Sequence, residues 1–270
     1  MRILIGIVLF STVTNVGFGQ ESAPVLLRSG VRVQIRRLAI DSSTLPAGDR
    51  ERIIHLFERN SYTQGELQAR IQQAFRDLGY FKASVDEPKV SFIGPTQGAE
   101  DVDVSARVEE GTQYRLGEIR FEKGSIFPAD QLRTLFPMRN GDLFSATKIS
   151  EGLDQLRNLY GTEGYINCVV NPVVVINESH PTIDLVLQLD EGKPYYFGRL
   201  FLDGTEPHTG AYKALMESWK TLQGRRYNPV LLKSWLTANA SEWPGAEDPK
   251  WMITNEEAES HAVDVKLLLR

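Results

Sequence analysis

Residues 102–121 read VDVSARVEEGTQYRLGEIRF, and residues 183–202 read IDLVLQLDEGKPYYFGRLFL. In each, alternating apolar and polar residues run into two acids and a glycine, and a second glycine follows six residues later. Val104, Ala106 and Val108 match Leu185, Leu187 and Leu189 at one constant offset, and Gly111 matches Gly192 and Gly117 matches Gly198 at that same offset. Alternation with period two is the mark of a half-buried strand. After the second glycine, Ile119 and Phe121 fall on Leu200 and Leu202, again in step. The phrase therefore reads as the last strand of one unit, a turn, and the first strand of the next.

A second phrase repeats upstream. Phe75, Gly79 and Tyr80 match Tyr160, Gly164 and Tyr165 in order and spacing. Each Gly-Tyr closes a helical pattern: Leu67, Ile71, Phe75 and Leu78 form one apolar stripe, and Ile149, Leu153, Leu156 and Tyr160 another. Thr63 with Glu66 predicts a capping box for the first helix, and Ser145 an N-cap for the second. Glycine then fits the left-handed position that ends a helix, with the tyrosine packed beside it. A weaker third copy follows. Asn228-Pro229 predicts a helix start, and VDVKLLLR at 263–270 places Val263, Val265 and Leu267 in step with Val102, Val104 and Ala106.

The pattern predicts an α+β fold of tandem small β-α-α-β-β modules, each a three-stranded mixed sheet covered by two helices. The expected boundaries are a signal peptide at 1–19, a linker at 20–30, and modules at 31–112, 113–193 and 194–270, the last degenerate. Strands are expected near 31–41, 83–92 and 102–109 in the first module and near 114–122, 166–177 and 183–190 in the second. Helices are expected near 47–59, 63–78, 128–136 and 146–162.

Composition agrees with packed domains: 270 residues, 41% apolar and 24% charged. The formal charge of −5 argues against nucleic acid as a partner, since phosphate binding wants a basic surface. Arg2, the apolar run Ile3–Phe10 and the small residues Gly17 and Gly19 resemble a secretory signal. The single cysteine, Cys168, permits no internal disulfide and is expected as a small buried side chain.

The ordered phrases Tyr160-x-x-x-Gly164-Tyr165, Glu191-Gly192 and Phe197-Gly198-Arg199-Leu200 resemble POTRA domains, the polypeptide-transport-associated modules of outer-membrane barrel-assembly proteins and two-partner secretion transporters. The first module repeats them as Phe75-x-x-x-Gly79-Tyr80, Glu110-Gly111 and Leu116-Gly117-Glu118-Ile119. The resemblance implies a periplasmic chain associated with the outer membrane, contacting the membrane only indirectly. No constellation of residues meets the needs of a catalytic site, so no enzyme activity and no cofactor are expected. The partners the resemblance implies are an outer-membrane barrel protein or an unfolded outer-membrane or secreted polypeptide. Nothing in residues 20–270 reads as repeated membrane strands, so binding is expected of this chain rather than transport through it. The alternative is an accessory or remnant of a transporter whose outer-membrane barrel is a separate chain.

The acid pairs at 109–110 and 190–191 cannot serve acid–base chemistry easily, because neighbours in a strand point to opposite faces. Glu110, Gly111, Glu191 and Gly192 are expected instead as inter-module junctions. Gly79, Tyr80, Gly164 and Tyr165 are expected as structural motif residues. No catalytic group is expected, and the four scattered histidines predict no metal site. Pro88 and Pro172 place the second strands at sheet edges, since proline cannot donate to a ladder. The strand holding Val169, Val170, Val173, Val174 and Val175 carries no charge from Ile166 to Asn177. It is the candidate partner-binding edge, with alternate valines filling the core. The first module's equivalent is blunted by Asp86, Glu87 and Lys89. Trp219 and Trp235 are expected in the core of the third module. Trp243 and Trp251 are expected either in loop packing or as partner anchors.

Overall fold

The computed structural model describes residues 32–42, 44–96, 99–204, 206, 208–242, 250–254 and 260–268. The expected signal peptide and linker, and Trp243, lie outside the described residues. The chain forms two compact units. One comprises residues up to Ile71 with Ser84–Glu109; the other comprises Gln72–Ala83 with Glu110–Arg270.

In the first unit, β1 (Val33–Asp41), α1 (Ala47–Phe57), β2 (Ser61–Tyr62) and the start of α2 (Gln64–Asp77) precede β3 (Ser84–Val85), β4 (Lys89–Thr96) and β5 (Ala99–Glu109). The expected capping box forms at α2: Thr63 N–H donates to Glu66 Oε2 at 2.9 Å, and Glu66 N–H to Thr63 Oγ1 at 3.3 Å. Strand β5 is central. It lies parallel to β1 and antiparallel to β3 and β4. This sheet has five strands rather than the three expected. The short strand β2 adds to β1. The stretch expected as a single strand at 83–92 splits where Val85 faces Val108 but Lys89 faces Ser105, a slip of one position across Asp86–Pro88. Proline lacks the N–H that a continuous ladder would use there.

The second unit holds two further sheets. The first is built from β6 (Arg115–Glu122), β7 (Val169–Asn177) and β8 (Thr182–Asp190), with α3 (Ala129–Arg133) and α4 (Ala146–Thr162). The second is built from β9 (Tyr196–Asp203), β10 (Lys250–Thr254) and β11 (Ala262–Leu268), with α5 (Gly210–Trp219) and α6 (Pro229–Ala238). The strand orders are β6-β8-β7 and β10-β11-β9. In both, the last strand is central, parallel to the first and antiparallel to the second. This is the mixed α+β arrangement expected. Helix α3 is shorter than expected and ends at Arg133, whose carbonyl Pro137, lacking an N–H, cannot bond in the helical ladder.

Each sheet packs its helices over one apolar face. Leu116, Ile119, Leu132, Phe136, Leu153, Leu156, Tyr160, Ile183, Leu185 and Leu187 are among the buried residues of one core. Trp219, Trp235, Phe197, Leu215, Val263, Val265 and Leu267 belong to the other. The two core tryptophans meet edge to face at 5.0 Å, and both indoles donate hydrogen bonds, to Gly198 O and Ser218 Oγ.

Candidate functional site: an edge strand between two junctions

The Gly-Tyr phrase ends its helix and also meets the strand that opens the next repeat. Tyr80 N–H donates to Phe75 O at 3.0 Å and Tyr165 N–H to Tyr160 O at 2.9 Å, as a glycine-stopped helix requires. Gly79 and Gly164 have φ of +89° and +83°. Their carbonyls then accept the N–H of Tyr114 and of Tyr195, both at 2.8 Å. A Cβ on Gly79 would lie 2.8 Å from Tyr114 O, and one on Gly164 would lie 2.7 Å from Tyr195 O. Glycine is thus demanded twice at these positions, by torsion and by space. Tyr80 and Tyr165 are buried beside the turns. Phe81 packs edge to face on Phe144 at 5.3 Å and joins the core of the β6-β8-β7 sheet.

The acid pairs divide their labour. Glu109 and Asp190 are exposed, whereas Glu110 is buried and Glu191 half-buried. Glu191 reaches into its own module. It accepts bonds from Ser125 N–H, Ser125 Oγ, Ile126 N–H at 2.9 Å and Tyr160 Oη at 2.7 Å. Burial opposes its charge, but the Ile126 N–H, the Tyr160 hydroxyl and the Ser125 donors outweigh that and hold its pKa below the ordinary value. Burial, then the bond to Glu191, pushes the Tyr160 hydroxyl up. The carboxylate ties the β6–α3 loop to α4. The turn itself is left to Gly111 and Gly192, at φ +69° and +63° with open space around them.

Two recurring features escaped the sequence reading. The first is an aspartate at 103, 184 and 264, in VDV, IDL and VDV. Each faces a β-bulge in the first strand, where the register skips Arg36 in β1, Gly117-Glu118 in β6 and Gly198-Arg199 in β9. Asp184 Oδ1 accepts Glu118 N–H at 2.7 Å. Asp264 accepts Arg199 N–H at 2.6 Å and its guanidinium at 2.7 Å. Asp103 takes the Arg36 guanidinium at 3.0 Å. A Cβ on Gly117 or Gly198 would overlap the aspartate oxygen, which explains the second glycine of the opening phrase.

The second is a strap along the outer side of each first strand. Gly141 N–H donates to Leu116 O, Leu116 N–H to Asp142 O, and Phe144 N–H to Tyr114 O. Gly224, Phe197, Arg225, Tyr227 and Tyr195 repeat this pattern in the next module. Arg59 N–H on Ile35 O and Ile35 N–H on Asn60 O play the part in the first unit. The start of each first strand is therefore covered, at Ile35, at Tyr114 and Leu116, and at Tyr195 and Phe197, and the second strand forms the opposite edge.

In the β6-β8-β7 sheet that edge is β7, paired to β8 along its whole length from Val169 to Asn177. Val169, Val173, Val174 and Val175 are 59%, 38%, 41% and 45% exposed. Alternate valines were expected to fill the core, but only Val170 is buried. Val174 shares its face and stays open, although Val170 is buried and Ile176 packs against the core on that same face. Both faces of β7 therefore present apolar surface next to the strand's outer edge. In β10, Trp251, Met252 and Ile253 are likewise exposed, so Trp251 is not packed in a core. On the first unit's edge, Asp86, Glu87 and Lys89 are exposed.

Side chains bind both ends of β7. At its C-terminal end, Glu178 accepts Tyr114 Oη at 2.7 Å and pairs with Lys82. The Lys82 ammonium, then the Tyr114 hydroxyl, lower the Glu178 pKa, and the shared contact raises Lys82 and Tyr114. At its N-terminal end, Asn167 Nδ2 donates to Tyr195 Oη at 2.8 Å. Cys168 is half-buried just before the strand, and burial raises its thiol to about 11. Asp77 caps α4 from outside it. Its carboxylate accepts Thr147 N–H at 2.8 Å, Thr147 Oγ1 at 2.7 Å and Ser145 Oγ at 2.9 Å. Among the described residues no group of three or more histidines, cysteines or acids is placed to hold a metal. No described helix is long and apolar enough to cross a membrane.

Repeated mixed sheets with paired helices, glycine-stopped helix ends and a strapped first strand define a protein of tandem α+β modules. The family model for POTRA, described as a surface antigen variable number repeat, matches residues 34–111 and 114–192, and the chain belongs to that family. It is 24% identical over 228 residues to the outer membrane protein assembly factor BamA of Buchnera aphidicola, across 78% of this chain and 36% of that one. It therefore spans about a third of that relative's length. In fold it is similar to the crystal structure of Haemophilus influenzae BamA POTRA3-5. The TM-score is 0.61 at 18% identity, over 91% of this chain and all of that one.

Proposed function

We propose that this chain is a non-enzymatic scaffold of three POTRA modules, at 31–112, 113–193 and 194–270, working in the periplasm in outer-membrane protein assembly or secretion. It holds extended polypeptide segments, or a barrel protein, by adding their strands to β7. The observation that carries this is the β7 edge. It is paired to β8 along its full length, carries no charge, exposes valines on both faces, and lies opposite a strand whose first residues the strap already holds. Membership of the POTRA family and the similarity to an outer-membrane assembly factor supply the setting. The signal-like segment at 1–19 supports export. The non-enzymatic reading is supported by Glu110 and Glu191, the acids most suggestive of chemistry, being drawn into the fold.

A photo-crosslinking residue at Val173 or Val175 tests this in the native envelope. Capture of outer-membrane barrel proteins or their unfolded precursors is expected from these positions and not from exposed Glu151 on α4. Equal capture from all three positions would contradict the reading.

A further inference from the structure

Strand β7 is held along its length by the β8 ladder, and side chains outside that ladder fasten it at both ends. At the C-terminal end, Asn177 Oδ1 accepts Ser179 N–H at 3.1 Å and His180 N–H at 3.0 Å, which fixes the turn that aims Glu178. Glu178 then holds the Tyr114 hydroxyl, and Pro181 O accepts Arg115 N–H at 3.0 Å. At the N-terminal end, Cys168 N–H donates to Tyr165 O at 3.1 Å, and Asn167 holds the Tyr195 hydroxyl. Between these fastenings only Val170 is buried. Tyr114 and Tyr195 occupy the same place in successive repeats, and each is hydrogen-bonded through its N–H to a junction glycine. The candidate docking edge is thus strung between the two junction tyrosines.

We infer that occupancy of the β7 edge is coupled to both junctions through Tyr114 and Tyr195, which act as positioning residues for that edge. This rests on the reading of β7 as a docking strand and concerns how that strand is regulated. A visiting strand bonds along the outer backbone of β7 and imposes one twist on it from end to end. The continuous β7–β8 ladder carries that twist from end to end, to the two fastenings. Coupling between binding steps is reciprocal, so the tyrosine bonds that respond to the bound strand also set its affinity. A bound polypeptide would stiffen both junctions of the module that holds it, and stiff junctions would favour its retention.

The test uses the full chain labelled with 15N and a synthetic peptide of alternating valine and threonine with a lysine at each end. Tyr114→Phe and Tyr195→Phe keep the buried rings and remove one hydrogen bond each. Each is expected to weaken peptide binding about threefold, the coupled part of the free energy of one hydrogen bond. In the free protein, Tyr114→Phe is expected to speed amide hydrogen exchange at Ser179 and His180 and also at Val169 and Val170, at the far end of the strand. A purely local tyrosine would change the hairpin alone, and that result overturns the coupling. Unchanged peptide affinity in both variants, with the wild type binding, also overturns it while leaving β7 as a docking strand. If the wild type shows no peptide-induced shifts in residues 169–177, the docking reading itself falls and the coupling to occupancy falls with it.

Discussion

At the first junction the Gly79 carbonyl takes the Tyr114 N–H, Asp77 caps α4 from outside the helix, and Glu178 holds Tyr114 together with Lys82. At the second, the Gly164 carbonyl takes the Tyr195 N–H in the same way. Each helix also carries its own cap, Ser145 on α4 and Asn228 on α6, but at the second junction Asn167 meets the tyrosine hydroxyl. Arg226 adds an ion pair with Glu163 and lies over the Tyr165 ring. The backbone half of the junction recurs because a left-handed turn pressed against a carbonyl admits only glycine. The side-chain half is free to vary, because many polar pairs can hold a tyrosine hydroxyl or a helix end.

The largest effect should come from the shared half. Gly79→Ala and Gly164→Ala each combine left-handed strain with a clash against a carbonyl, so each should cost about 3 kcal/mol in urea denaturation. Gly192→Ala, strained but with open space, should cost about 1 kcal/mol. Equal losses at all three would remove the distinction between a junction glycine and a turn glycine.

Glu191→Gln should come next, at about 2 kcal/mol near neutral pH, because a half-buried carboxylate with several donors is lost. The sign with pH follows from its lowered pKa. The stabilisation is fully present above the unfolded-state value of about 4.3 and is lost as pH falls through the lower folded value. Wild type and variant should therefore converge in acid, as read by denaturation from pH 7 downward.

Asp77→Ala should cost about 1 kcal/mol through the lost cap. The corresponding residue at the second junction, Thr162, bonds only Leu159 O within its own helix, so Thr162→Ala should cost less by the same denaturation measurement. Smallest of all is Arg226→Ala. Its pair with Glu163 is half-exposed at 3.6 Å, and a loss below about 0.5 kcal/mol is expected by calorimetry.

The sequence carried the helices and the repeat well, for reasons tied to particular residues. Helix α4 spans Ala146–Thr162 as its apolar stripe predicts, with Ser145 at its cap. The helix ends at Gly79 and Gly164 were legible because only glycine serves there. The bulge aspartates were harder. Asp103, Asp184 and Asp264 sit at polar positions of alternating strands and look like ordinary outward-facing residues, although their near-constant spacing was visible. The strap was hidden because GDLFS and GRRYN share only a glycine, an aromatic and a cap. The Asp77–Thr147 and Tyr114–Glu178 bonds join residues far apart in sequence and leave no local pattern. The exposure of Val174, between a buried Val170 and a core-packed Ile176, depends on tertiary packing that alternation alone does not report.

Strand addition at β7 is tested most directly by an amide chemical-shift titration of the full chain with the valine–threonine peptide. Shifts concentrated in residues 169–177, growing to saturation with the strapped strand β6 unmoved, are the expected result. Unchanged amides across 169–177 at saturating peptide, or shifts spread equally over β6 and β7, would contradict it.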